Sequence, residues 1–188
     1  MKEIIRNEFS EHLKVVNLLD SLTDEIASSA ELCIDCLENG GKILLCGNGG
    51  SAADAQHIAA ELVGRYRANR KGLSAIALTT DTSSLTSISN DFGFKHVFDR
   101  QIQALAKKGD ILIGISTSGK SSNVINAIKL ASQLKCSTIG FSGNYKAEMQ
   151  KICDINISIL SDDTPRIQEM HILIGHIICL LIDQHFSD

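Results

Sequence analysis

Lys42-Ile43-Leu44-Leu45-Cys46-Gly47-Asn48-Gly49-Gly50-Ser51 is the stretch that decides the fold. A short apolar run over Lys42–Cys46 closes in glycines, and a helical pattern opens at Ala52 and continues to about Tyr66. Strand, glycine turn and helix in that order are the first half of a βαβ unit. Downstream, Ser74–Leu78 is a second apolar run. Ile111–Ile115 is a third, closed by Ser116-Thr117-Ser118-Gly119-Lys120-Ser121 and followed by a helix to about Leu134. Cys136–Phe141 and Ile155–Leu160 are the fourth and fifth, and a last helix opens near Pro165, a residue suited to a first helical turn. Five short strands mostly separated by helices predict an α/β, three-layer sandwich around a five-stranded parallel sheet, flavodoxin-like in type. Ligands of such sheets bind beyond the carboxyl ends of the strands. Both Gly/Ser loops, 47–51 and 116–121, fall there.

Upstream, residues 1–40 read as two extra N-terminal helices. Ile5, Phe9, His12 and Val16 space one stripe, Ser21-Leu22-Thr23-Asp24 resembles a capping box, and Gly40-Gly41 stops the second helix. With no proline-rich linker and no repeat, residues 1–188 are expected to form a single domain: helices over 1–40 used in oligomerisation, and an α/β core over 41–188. Eighteen Lys and Arg against 22 Asp and Glu give a net charge of −4, with 4% aromatics and no Trp. That balance argues against a nucleic-acid partner, which wants a basic surface and stacking rings. The acidic start lacks a signal-peptide core, and the apolar stretch Ile172–Ile182 falls short of the ~20 residues that span a bilayer. No membrane partner and a cytoplasmic location are therefore expected. Cys33-Ile34-Asp35-Cys36 sits in a helical pattern (Ile26, Ala30, Cys33, Leu37) and reads as reduced thiols on a helix face.

The closing helix, from Arg166 to about Phe186, is apolar nearly all round, so burial on all sides is expected, with a second subunit supplying part of it. Gly114-Ile115-Ser116-Thr117-Ser118-Gly119-Lys120-Ser121 satisfies the Walker A letters, but Gly114 falls inside the apolar run and no Walker B follows. The same residues read otherwise as a site for one phosphate monoester: the hydroxyls of Ser116, Thr117, Ser118 and Ser121 beside a helix N-terminus. His57 and Glu61 stand one turn apart on one helix face. Gln168, Glu169, His171 and His176 interrupt the apolar last helix, either as a satisfied polar seam or as part of a site.

Taken together, Cys46-Gly47-Asn48-Gly49-Gly50-Ser51 with His57 and Glu61, Asn90-Asp91-Phe92-Gly93-Phe94, Gly114–Gly119, and Arg166-Ile167-Gln168-Glu169 with His176 resemble the phosphoheptose isomerases of the SIS (sugar isomerase) fold. The resemblance runs over nearly the whole chain. It implies conversion of sedoheptulose 7-phosphate to D-glycero-D-manno-heptose 7-phosphate, the first step towards nucleotide-activated heptose for lipopolysaccharide or capsule. It also implies a cytoplasmic homotetramer with active sites at subunit interfaces, and one Zn²⁺ held by His57, Glu61, Gln168 and His176. The implied substrate contacts are Asn48, Gly49, Gly50, Ser51, Glu61, Arg65, Asn90, Asp91, Ser116, Thr117, Ser118, Ser121 and Gln168. Pro165 stands where members can carry an acidic residue, so no acid–base group is expected there.

Ketose–aldose interconversion needs a base over the C1–C2 edge and a proton donor for the oxygens. Glu61 is the expected base and His176 the opposing acid–base group. Gln168 and His176 are eight residues apart, about 12 Å along a helix. Spacing alone favours His171 as the partner of Gln168, and the resemblance selects His176. The alternative readings are a non-catalytic SIS-fold protein that binds the replication initiator, and a P-loop NTPase built on Lys120.

Overall fold

The computed structural model describes residues 1–144 and 148–187. The short apolar runs bounded by glycine and serine form β1 (Ile43–Gly47), β2 (Ala75–Ala77), β3 (Ile111–Ser116), β4 (Ser137–Gly143) and β5 (Ile155–Ile159). All pair in parallel in the order β2-β1-β3-β4-β5, with Cys46 opposite Gly114 and Ser116 opposite Ser142. This is the doubly wound flavodoxin-like order, and it reverses between β1 and β3.

The helices are α1 (Lys2–Val16), α2 (Thr23–Glu38), α3 (Gly50–Val63), α4 (Thr82–Phe92), α5 (Asp99–Leu105), α6 (Ser122–Gln133), α7 (Met149–Ile152) and α8 (Thr164–His185). Strand side chains alternate between two cores. Ile43, Leu45, Ile113, Ile115 and Phe141 face Ile26, Cys33, Ile58, Met170 and Ile174 of α2, α3 and α8. Leu44, Cys46 and Leu112 face Ile102, Val124 and Ile128 of α5 and α6. Each fully buried Ile or Leu contributes roughly 1.5–3 kcal/mol, so the two layers hold the sheet from both sides.

Several local expectations differ. Ser21 and Thr23 make no capping box. Their hydroxyls donate backwards to Leu18 O and Asp20 O, both at 2.8 Å, and tighten a 3-10 turn over Leu19–Leu22. Helix α3 stops at Val63 rather than near Tyr66, because Gly64 leaves the helical region. On α1, Ile5 and Phe9 are exposed and only Val15 is buried, since the helix touches the body mainly through its later turns. His12 is fastened to Glu169 at 2.7 Å, and Arg166 donates to Glu8 O at 2.7 Å.

The closing helix is buried along one face only: Ile167, Met170, Ile174, Ile178 and Ile182 are covered, while Ile172, Leu173, Ile177 and Leu181 are half-buried. At 22 residues α8 is long and apolar enough to cross a membrane by length and composition, but half of its apolar window is buried inside the fold. Cys33 and Cys36 are buried free thiols on α2.

Candidate active site

The loop after β1 is shaped by what its glycines avoid. A Cβ on Gly47 would lie 2.6 Å from Ser51 O, and Gly49 has φ +56°, a conformation open to glycine at little cost. A Cβ on Gly50 would sit 2.5 Å from Gln168 Nε2, so the start of α3 comes directly against the amide on α8. From there Gly50, Asp54, His57 and Glu61 follow one another on a single face of α3.

That face meets α8 at His176. His57 Nε2 and His176 Nε2 are 2.9 Å apart, one imidazole N–H donating to the other, with the rings edge to face at 5.0 Å. Glu61 Oε1 lies 3.4 Å from His57 Nε2. The ligand-capable atoms of His57, Glu61 and His176 all lie within 4.8 Å of one another, although the two helices are 119 residues apart in sequence at the histidines. Two nitrogens about 2.0–2.1 Å from one tetrahedral zinc would be roughly 3.3 Å apart, so this donor set accommodates such an ion with a small adjustment. Asp54 is half-buried beside them. Its Oδ2 is buried without a partner, and burial pushes the carboxyl up to about 6 while His57 acts against the shift.

Behind the cluster, a buried ion pair ties the two helices. Arg70 Nε donates to Asp183 Oδ1 at 2.7 Å, and the Asp183 carboxylate also accepts the N–H groups of Arg67 and Ala68. The Arg70 guanidinium donates to Glu61 O and Leu62 O at 3.0 and 2.9 Å, so it caps the C-terminal carbonyls of α3. Asp183 is seven residues beyond His176 on α8, on the same face. One carboxylate thus fixes the turn that follows Glu61 relative to the helix that carries His176. Tyr66, on that turn, stacks on His176 at 5.6 Å.

Across the β1/β3 gap lies the hydroxyl loop. Ser116 Oγ donates to Ser121 Oγ at 2.9 Å and is 3.4 Å from Ser118 Oγ, and Lys120 N donates to Ser118 Oγ at 3.2 Å. Gly143 N donates to Thr117 O at 2.9 Å, so β4 props the loop from behind. Ser121 is the N-cap of α6 but makes no side-chain cap bond, and of the first-turn N–H groups that of Val124 is taken by Asn123 Oδ1 at 3.0 Å. An anion would find oxygen-directed donors there and the positive end of a helix. The P-loop reading fails on geometry. Gly114 is inside β3, paired with Cys46 and Gly140, and a Cβ there would lie 2.9 Å from Ile128 Cδ1, so this glycine serves helix packing rather than a phosphate turn.

The structure brings His57, Glu61 and His176 together and gathers Ser116, Ser118 and Ser121. The Gln168 amide, expected as a fourth ligand, comes against Gly50 at the start of the same face of α3, where a Cβ on the glycine would lie 2.5 Å from its Nε2. His171, the residue spacing favoured, faces away. It is fully buried on Phe141, its Nε2–H donates to Ser142 O at 3.2 Å, and burial pushes it down to about 4. Arg65 is exposed just past α3. Asn90 and Asp91, at the end of α4, bond to each other at 2.9 Å, and among the described residues no hydrogen bond or ion pair joins them to the cluster. Sequence reasoning missed Asp54, Tyr66, Arg70, Asn123 and Asp183. Of these, only Asp54 carried a signal, its place one helical turn before His57.

A family model for the SIS domain matches residues 8–143. The chain belongs to the SIS domain family. Within that family it is 56% identical over 188 residues, the whole of both chains, to a phosphoheptose isomerase of Aliarcobacter butzleri. It is 55% identical over 186 residues to phosphoheptose isomerase 1 of Campylobacter jejuni, covering 99% of this chain and 100% of the relative. Its fold superimposes on the phosphoheptose isomerase GmhA of Neisseria gonorrhoeae with a TM-score of 0.92 at 44% identity, covering 97% of this chain and 98% of that one.

Proposed function

We propose that this protein is an aldose–ketose isomerase that converts sedoheptulose 7-phosphate to D-glycero-D-manno-heptose 7-phosphate, the entry to activated-heptose synthesis. The observation that carries the reading is the meeting of a carboxylate and two imidazoles from α3 and α8, in a sheet whose β3 ends in a loop of bonded hydroxyls. The SIS-domain phosphoheptose isomerases that this chain matches over its full length support it.

In this reading the phosphate ester sits on Ser116, Thr117, Ser118, Ser121 and the first N–H groups of α6. The sugar lies along Asn48, Gly49, Gly50 and Ser51, with the Gln168 amide at the start of α3. Glu61 takes the proton from C1 of the ketose, leaving an enediolate, and the proton is returned at C2. His176 moves protons between the C1 and C2 oxygens. Tyr66, stacked on it, and the Arg70–Asp183 pair hold the imidazole and the carboxylate facing one another. His57, Glu61 and His176 would hold a zinc ion, which when bound supplies Lewis-acid polarisation of the carbonyl and hydroxyl oxygens.

The apolar residues Ile4, Ile5, Phe9 and Leu13 exposed on α1, with the half-buried side of α8, support burial against further copies of this chain, as in a homotetramer. In such an assembly Arg65, Asn90 and Asp91 would serve active sites at subunit contacts. The test is incubation of the purified protein with sedoheptulose 7-phosphate, followed by proton NMR with and without chelator. Heptose 7-phosphate signals are expected, reduced by chelator. An unchanged substrate spectrum in the presence of added zinc would overturn the reading.

A further inference from the structure

A monophosphate ester that bridges two loops from different strands needs those loops at a fixed spacing. The loops after β1 and β3 are joined by a closed pair of side-chain amides. Asn48 Nδ2 donates to Asn123 Oδ1 at 2.9 Å, and Asn123 Nδ2 donates to Asn48 Oδ1 at 2.8 Å, across 75 residues of sequence. Asn123 is only 2% exposed, in the first turn of α6 and two residues past Ser121. Its Oδ1 accepts the Val124 N–H as well, at 3.0 Å, which fixes the orientation of the amide. The Asn48 oxygen and one of its N–H groups are therefore engaged by Asn123, which fixes the direction in which its second N–H points. Removing either carboxamide breaks both bonds of the pair and leaves a buried polar group unmatched on the other side.

We propose that Asn123 is a positioning residue for sugar-phosphate binding. Acting through Asn48, it sets the distance between the Gly49-Gly50 turn and the hydroxyl loop over residues 116–121, so substrate affinity depends on the two amides as one unit. This rests on the sugar-phosphate reading above. The pair is remote from the proton-transfer groups in chemistry: neither amide titrates, and neither bonds to His57, Glu61 or His176. Loosening it weakens ground state and transition state alike, which raises KM and spares kcat.

The experiment is a double-mutant cycle on the full chain with Asn48→Ala, Asn123→Ala and the double variant. Sedoheptulose 7-phosphate binding is measured by calorimetry and turnover by steady-state kinetics. Each single variant is expected to weaken binding and raise KM about tenfold, with kcat within about twofold, and the double variant to be no worse than the weaker single. A purely structural role would instead lower kcat through loss of folded enzyme at unchanged KM. Unchanged affinity in Asn123→Ala, or losses that multiply in the double variant, would overturn the proposal. Asn123→Ser, too short to reach Asn48, replaces Asn123→Ala in the cycle if the latter does not fold. Wild-type protein that binds the sugar phosphate without converting it would defeat the isomerase reading, and the cycle read from binding would still decide this one.

Discussion

The α3–α8 crossing and the entrance to α6 are made of opposite materials. At the crossing stand Asp54, His57, Glu61 and His176, carboxyl and imidazole groups carried on long helices and backed by the buried Arg70–Asp183 pair. At the entrance stand Ser116, Ser118, Ser121 and the Asn48–Asn123 amides, none of which titrates, on loops and a first helical turn. The first region is suited to moving protons between rigid supports. The second is suited to holding a fixed charge at a fixed distance. On that division, substitutions at the crossing are expected to change the rate of chemistry and substitutions at the entrance to change affinity.

The strongest challenge to the division is Glu61→Gln, which keeps the shape of the crossing and removes its base. A loss of about 10²–10⁴ in kcat with KM changed only a few-fold is expected from steady-state kinetics. A rise in KM with kcat retained would mean that Glu61 belongs to binding and that the two regions do not divide the work.

A pH titration sharpens the comparison from the entrance side. His171 is held neutral, near 4 against an ordinary 6.5, because burial opposes its charge. Its bond to Ser142 O steadies the end of β4 that props Thr117. The unfolded chain binds a proton there that the folded chain refuses, so this contribution to stability is complete above about pH 6.5 and is lost as pH falls towards 4, roughly 3 kcal/mol in all. Urea unfolding at pH 7, 5.5 and 4.5 should show the decline, and His171→Gln should flatten it. An equal slope in both proteins would remove His171 from the account.

A smaller effect is expected from Ser121→Ala, which deletes one hydroxyl at the phosphate end. KM should rise about tenfold with kcat nearly unchanged, the weight of one hydrogen bond to a charged group. A fall in kcat at constant KM would place the hydroxyl in the chemistry instead.

Much of this was legible before any coordinates. The five strands lie within a few residues of their apolar runs, and both loops fall at strand ends, because a buried parallel strand leaves a short apolar signature closed by glycine or serine. What escaped was whatever joins distant parts of the chain. Asn48 and Asn123 are 75 residues apart and Arg70 and Asp183 are 113 apart, and no periodicity connects them. The Walker A letters misled because a string does not show that Gly114 ends up mid-strand under Ile128. His171 and His176 are both on α8, and only the neighbours each one faces, β4 for the first and α3 for the second, tell them apart. The stripe on α1 was visible, but its first half, Ile5 and Phe9, points outward, because one chain offers that helix little to pack on.

The direct test of proton transfer at the crossing is conversion of sedoheptulose 7-phosphate in D₂O, read by NMR at the C2 position of the heptose product. Solvent deuterium at C2 is expected, since a side chain that exchanges with water takes the proton from C1 and another is returned at C2. Full conversion with the original C1 hydrogen carried intact to C2, and no deuterium taken up, would contradict the account.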